Sequence, residues 1–96
     1  MFTITPIIYS ELAALLVADI DSKSYYSGTV TLYTPQVDYH LTATLMLRYR
    51  EVVCPDTSYC QISEIIPVWW EMSYVDDDGE QPNDFDFNIL ARNICQ

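Results

Sequence analysis

The 96-residue chain has few basic side chains: four Lys and Arg residues stand against fourteen Asp and Glu residues. Its formal net charge is −10 and its pI is near 4.1. Proteins bind the phosphates of nucleic acids through Lys and Arg, so this balance argues against direct binding of DNA or RNA. The same charge repels anionic membrane surfaces. A basic protein partner, a cation or simple solubility remain as explanations of the acidity.

Glycine and histidine are also scarce. Only Gly28 and Gly79 are present, and they form no glycine-rich loop of the kind that cradles phosphates. There is one histidine, and the sequence contains no G-x-S-x-G nucleophile motif. The length leaves no room for a TIM barrel or a doubly wound nucleotide-binding fold. We therefore predict that the chain is not an enzyme and binds no cofactor.

Three cysteines, Cys54, Cys60 and Cys95, are too few and odd in number for a closed disulfide framework. Cys54 and Cys60 fall on opposite faces of a predicted hairpin, where only a bulge or a five-residue loop would allow a disulfide, so free buried thiols are expected. With His40 these thiols do not match the usual spacing of zinc ligands. The acidic loop before Gly79 lacks carboxylates at the first and last ligand positions of an EF-hand. We predict no metal site.

Long hydrophobic runs are absent as well. No uncharged run reaches the ~20 residues that a membrane-spanning helix needs. The N-terminal apolar stretch has no basic residues before it and is interrupted by Pro6 and Glu11, unlike a secretory signal. We expect a cytoplasmic protein with no membrane partner. Half of the residues are hydrophobic and 14% are aromatic, which favours a single folded domain over residues 1–96.

Helices are predicted at both ends of the chain. Residues 10–20 favour a helix with Ser10 as its N-cap. This helix is apolar on nearly every face, so it is either buried in the core or half of an interface. Near the C-terminus four apolar residues follow helical spacing, with Asn83 or Asp84 as the cap. These four are Phe87, Leu90, Ala91 and Ile94.

The middle of the chain predicts three antiparallel strands, because apolar and polar residues alternate. Four-residue loops at residues 35–38 and 55–58 place Leu32 opposite Leu41 and Ala43 opposite Trp70. The predicted apolar face of the third strand consists of Ile62, Ile66, Val68, Trp70, Met72 and Tyr74. The expected fold is thus an α+β single domain, a three-stranded antiparallel β-meander flanked by an N-terminal and a C-terminal helix (α-β-β-β-α).

Acidic residues concentrate near the C-terminus: residues 71–96 hold seven acids and one base. The register also places the aromatic side chains of Trp69 and Tyr33 on the outer face of the sheet. Aromatic side chains beside carboxylates are typical of protein interfaces. The predicted partner-binding residues are Trp69, Glu71, Asp76, Asp77, Asp78, Glu80, Asp84, Asp86 and Tyr33.

Two functions are consistent with these features. The first is a small acidic interaction module that docks a basic protein. Its sharper form is a nucleic-acid mimic that inhibits a DNA- or RNA-handling protein, as phages and mobile elements encode. The alternative is a structural or assembly subunit that forms a homo- or hetero-oligomer, including a homodimer, through the apolar first helix.

Overall fold

A computed structural model describes residues 2–95. The elements are α1 (Pro6–Ile20), β1 (Tyr25–Tyr33), β2 (Asp38–Cys54), β3 (Thr57–Asp76), β4 (Gly79–Gln81) and α2 (Phe87–Ile94). The strands form one antiparallel sheet in the order β1-β2-β3-β4. The fold is α+β with a helix on each side of the strands in sequence, as predicted. The short β4 is additional, because the acidic loop closes as a tight turn in which Gly79 adopts a φ of 102°.

Helix α1 begins four residues earlier than predicted. Its N-cap is Thr5, whose hydroxyl accepts the N–H of Ile8 at 3.4 Å, and Pro6 follows at the first helical position. Ser10 therefore lies inside the helix and is not its cap. Proline suits this first position because its missing N–H would have no helical partner there. Pro6, which interrupts the apolar run in the sequence, is thus the first residue of the helix.

The first hairpin keeps the predicted faces but not the predicted partners. Leu32 lies opposite Tyr39 instead of Leu41, because the loop comprises residues 34–37. Within this loop the Thr34 hydroxyl donates to the Val37 carbonyl at 2.8 Å and accepts the Val37 N–H at 3.1 Å. A shift of two positions leaves every side chain on the same face of the sheet.

The second hairpin differs more strongly from the prediction. Its loop is the two-residue Pro55-Asp56 turn, and β2 and β3 pair as far as Cys54 and Thr57. No residue of this loop has a positive φ. The register shifts between Thr44 and Leu45 and again between Arg48 and Tyr49, and each shift marks a β-bulge. Two bulges reverse the faces of the residues between them.

Because of the two bulges, the core face of β3 differs from the predicted one. Ile65 is buried, whereas Ile66 and Val68 point outward and are exposed. Placing Ile66 and Val68 in the core was therefore wrong. Glu64, which interrupted the apolar pattern in the sequence, lies on the outer face and pairs with Arg48 at 3.3 Å between Nε and Oε1.

Both helices pack on the same face of the sheet. From α1 the buried stripe consists of Tyr9, Leu12, Ala13, Leu16 and Ile20. From α2 it consists of Phe87 and Leu90, and the N-cap of this helix is Asp86 in place of the predicted Asn83 or Asp84. These side chains meet the inward-facing residues of β2, Tyr39, Leu41, Ala43, Leu45 and Leu47, in one core.

The β2–β3 hairpin extends beyond the end of β1 as a two-stranded arm, and the described residues measure 52 × 25 × 18 Å. Cys54 and Cys60 lie on this arm and are exposed. The expectation of buried thiols is wrong for both. Cys95 is half-buried, and burial raises the pKa of its thiol.

Candidate protein-docking surface

The sheet face opposite the helices, which we name the outer face, carries no covering element from residues 2–95. Along β2 the outward residues His40, Thr42 and Thr44 alternate with fully buried inward residues. Hydroxyl pairs bridge β1 and β2 here: Thr29 to Thr42 at 2.8 Å between their Oγ1 atoms, and Ser27 Oγ to Thr44 Oγ1 at 3.1 Å. The middle of the outer face is therefore polar and held in a fixed register.

One side of the outer face is apolar. Tyr25, Met46 and Ile66 lie side by side on β1, β2 and β3, and Trp69 and the bulged Val68 adjoin them on β3. We name these five residues the anchor patch. Their side chains are between 36% and 62% exposed, and none is charged. Contiguous exposed apolar surface that includes Trp, Tyr and Met is typical of protein interfaces.

The other side of the outer face is acidic. A row of side chains crosses all four strands, from Tyr33 through Asp38 and Val75 to Glu80. The β3–β4 turn adds three further carboxylates at the same end of the sheet. We name this group the acidic end; it consists of Asp38, Asp76, Asp77, Asp78 and Glu80. Glu71 lies on β3 between the acidic end and Trp69, opposite Thr42.

Within the acidic end, Asp76 holds the turn together. Its Oδ1 accepts the N–H of Asp78 at 2.9 Å and a side-chain N–H of Gln81 at 3.3 Å. Asp77 and Asp78 are exposed at the tip of the turn. The turn thus presents their carboxylates to solvent from a fixed backbone, in a position to attract a cationic surface.

Asp84 and Asp86 belong to a different part of the molecule. Asp84 Oδ1 accepts the N–H of Ile4 at 2.7 Å, and Asp86 Oδ1 accepts the N–H of Asn88 at 2.9 Å. The backbone N–H of Asp86 donates to the Tyr9 hydroxyl at 2.9 Å. Burial raises the pKa of Tyr9, and the two carboxylates raise it further. The structure therefore brings seven of the nine predicted partner-binding residues to the outer face or its acidic end, and not these two.

The arm carries the basic side chains of the outer face. Arg48 pairs with Glu64, and Arg50 donates from Nη2 to Gln61 Oε1 at 3.4 Å. Charge on the outer face is thus uneven along the strands: carboxylates lie at one end, the uncharged anchor patch lies beyond them, and the arm carries Arg50 and the Arg48–Glu64 pair. An uneven charge distribution orients an approaching partner as well as attracting it.

Sequence reasoning missed Ile66 and Val68 as surface residues and did not single out Met46 or Asp38. Two features of the sequence indicated that the faces change near Ile66 and Val68: Glu64 lies within an apolar run, and Pro67 lies in the middle of a long strand. Proline within a sheet is confined to edges and bulges, and each bulge exchanges the two faces. Met46 and Asp38 follow directly from the alternation of β2.

Among residues 2–95, no three His, Cys, Asp or Glu side chains come together as ligands for a metal ion. No helix in this part of the chain is long and apolar enough to cross a membrane. Comparisons with protein families, with curated proteins and with solved structures found no match for this chain.

Proposed function

We propose that the protein is a binding module that docks a basic protein surface on its outer face. One observation carries this proposal: a sheet face without helix cover combines an uncharged aromatic patch with a cluster of carboxylates at one end. Single exposed apolar residues are normal on protein surfaces, but contiguous patches rimmed by polar residues mark interaction sites.

The two parts of the surface have different roles. The acidic end speeds association with a cationic partner, and this contribution falls as salt screens the charges. The anchor patch supplies contact energy that salt does not remove. Tryptophan is among the residues that most often dominate such contacts, with a loss of about 2 kcal/mol or more on truncation to alanine. We expect Trp69 to be the dominant contact.

Nucleic-acid mimicry is a narrower form of this proposal. A mimic displays negative charges along a track, as phosphates lie along a duplex. Here the carboxylates gather at one end and apolar side chains occupy the area beside them, while Asp84 and Asp86 bond to backbone amides. The mixed surface favours docking to a basic protein without imitation of DNA. A competition experiment with duplex DNA distinguishes nucleic-acid mimicry from docking through the anchor patch. Duplex DNA should displace the protein from its partner if it is a mimic, and should not displace it if the anchor patch holds the complex.

The test begins with capture of the partner on immobilised protein and continues with affinities measured on the purified pair. Trp69→Ala should weaken binding about 30-fold at any salt concentration, the equivalent of about 2 kcal/mol. The double variant Asp77→Asn/Asp78→Asn should weaken binding at low salt and match the wild type in about 1 M salt, where the screening length is ~3 Å.

Two controls lie on the helix side of the molecule. Ile7→Ala removes an apolar side chain that is 70% exposed on α1, and Glu11→Gln/Asp21→Asn removes the same number of charges as the acidic-end variant. Both controls should bind like the wild type. The proposal fails if Trp69→Ala binds normally, or if the helix-side variants lose as much affinity as the outer-face variants.

A further inference from the structure

The two edges of the sheet are built differently, and the β3 edge is blunted from Ser63 onward. Pro67 lacks an N–H, and the two bulges interrupt the strand at Ser63 and Val68. Toward the end of β3, β4 pairs with it, and the Asn83 side chain donates to the Met72 carbonyl at 3.4 Å. Bulges, proline and covering groups are the devices by which proteins prevent pairing at a sheet edge.

The β1 edge has none of these devices. Its nine residues, Tyr25–Tyr33, contain no charge and no proline, and they pair with β2 without a register shift. Among residues 2–95 no further strand lies beyond it. Its composition of tyrosine, threonine and other β-favouring residues suits pairing with one more strand.

The backbone groups that face outward on this edge can be assigned. The N–H of Leu47 bonds to the Ser24 carbonyl and the N–H of Thr34 to the Val37 carbonyl, both at 2.9 Å. Antiparallel ladders alternate between bonded and non-bonded pairs, so these two bonds fix the pattern between them. The N–H and C=O groups that point away from β2 belong to Tyr25, Ser27, Thr29, Thr31 and Tyr33.

Apolar side chains of α1 lie beside this edge. Leu15 and Ala18 line a shallow cleft with residues 29–31 of β1, and both are exposed. Asp19 is the carboxylate in that cleft, and its Oδ2 accepts the Tyr26 hydroxyl at 2.5 Å. The side of α1 that the core leaves uncovered is thus continuous with the unprotected strand edge.

We propose that a second copy of this chain occupies this edge, with the two β1 strands antiparallel about a two-fold axis at Thr29. In this register Tyr25 lies opposite Tyr33 of the other copy, Ser27 opposite Thr31, and Thr29 opposite itself. Aromatic and hydroxyl side chains are favourable cross-strand pairs. The two copies then share one eight-stranded sheet, and their α1 helices meet at Leu15 and Ala18.

Charge selects a second copy as the occupant. Each copy carries −10, so self-association is opposed wherever carboxylates face one another. The β1 strand itself carries no charge, so an identical strand meets no like charge across it, and the carboxylate beside this edge, Asp19, is engaged by the Tyr26 hydroxyl. The two-fold pairing uses the β1 edge of both copies, so it closes at two copies instead of growing into a fibre.

The size of the contact sets its strength. Nine strand residues span about 30 Å, and with the helix layer beside them the contact is about 15–20 Å deep, so each copy buries roughly 500 Å². The total, about 1,000 Å², lies at the lower limit for specific interfaces. About ten backbone hydrogen bonds accompany it. We therefore expect a dimer that forms at micromolar concentration.

Sedimentation of the purified full chain, without any partner, tests this inference between about 1 and 100 μM. The expected mass at the upper end is twice 11.1 kDa. The dimer should tighten as salt is raised, since salt screens the repulsion between the copies. This is opposite to the salt dependence expected for docking of a basic protein, so the two proposals can fail separately.

Three variants locate the contact. Thr29→Pro removes an outward N–H without breaking the β1–β2 ladder, and Leu15→Glu places a charge in the helix contact; each should weaken the dimer at least tenfold. The control Ile7→Glu adds the same charge on α1 at a side chain that is 70% exposed and should dimerise normally. Leu15→Glu decides the matter if Thr29→Pro does not fold. A monomer at 100 μM in high salt, an assembly larger than two copies, or a dimer that survives Leu15→Glu overturns the inference.

Discussion

Two adjacent tryptophans provide the sharpest test of which face of the sheet is open. Trp69 lies on the outer face opposite Thr44 and is 51% exposed. Trp70 is 38% exposed but points to the helix side, where its ring packs against Phe85 at 5.4 Å and Phe87 at 6.1 Å between centroids. Replacing each by alanine therefore removes the same atoms from two different environments.

The expected losses of stability differ severalfold. Truncating a fully buried tryptophan costs about 3–5 kcal/mol, and aromatic pairs contribute about 0.5–1.5 kcal/mol of that. Since Trp70 is partly exposed, we expect Trp70→Ala to cost about 2–3 kcal/mol. Trp69→Ala leaves no cavity and loses only cross-strand contacts, worth about 0.2–1 kcal/mol.

Thermal unfolding followed by circular dichroism measures the difference. In a domain of this size 1 kcal/mol shifts the Tm by about 4–8 °C, so Trp70→Ala should lower it by about 10–20 °C and Trp69→Ala by a few degrees. Equal losses in the two variants would refute the reasoning, because they would mean that the outer face is covered in the free protein.

Three further predictions concern stability. Thr5→Ala should lower the free energy of unfolding, measured by chemical denaturation, by about 1 kcal/mol because it removes the α1 N-cap, whereas Ser10→Ala should leave it unchanged. A larger loss for Ser10→Ala would mean that Ser10 is the cap, as the sequence predicted. Gly28→Ala should cost about 1–2 kcal/mol, since the added Cβ meets the Tyr26 hydroxyl at 2.8 Å and displaces it from Asp19; it should cost less in a Tyr26→Phe background, and an equal cost there would contradict this. Burial, followed by the Asp19 hydrogen bond, raises the pKa of Tyr26 above its ordinary 10.0. The neutral phenol is therefore favoured by folding, and its contribution to stability is complete below pH 10 and lost as the pH rises further. As the pH is raised above 10, the denaturant concentration at the unfolding midpoint should decrease, and it should decrease less in Tyr26→Phe. Equal decreases in the two proteins would exclude this role for Tyr26.

The fold class and the inward-facing residues of β2 follow from the sequence because period-2 alternation there is nearly unbroken. Leu41, Ala43, Leu45 and Leu47 are buried as predicted. The same alternation places Trp69 on the outer face, and the structure confirms it. Periodicity succeeds where a strand is regular, since each side chain then has only two possible directions.

The errors occur where a local exception changes the pattern. Pro6 begins helix α1 four residues before the predicted start, and Pro67 lies between two bulges that exchange the faces of β3. Proline is compatible with more than one role: at Pro6 it starts a helix, and at Pro67 its effect depends on strand pairing that a single sequence does not show. The loop of the first hairpin lies one residue earlier than predicted, which shifts the cross-strand partners by two positions, because the Thr34 side chain closes it.

The candidate site was predicted in part, for a similar reason. Composition located the acidic end, but it could not separate carboxylates that face solvent from those that bind backbone amides. Asp84 and Asp86 belong to the second group, because they order the chain that leads into α2. The outer face is free of helix cover because α2 packs on the opposite face of the sheet. The spacing of apolar residues within α2 predicts which side of the helix is buried, but not which face of the sheet it packs against.

The most direct test of the docking surface is hydroxyl-radical footprinting of the free protein and of its complex with the captured partner. The account predicts that Trp69 and Met46 are oxidised in the free protein and protected in the complex. Phe2, which is 42% exposed and stacks on Tyr74 at the helix side, serves as the internal reference and should react equally in both. Protection of Phe2 with unchanged oxidation of Trp69 and Met46 would contradict the account and place the partner on the opposite side of the molecule.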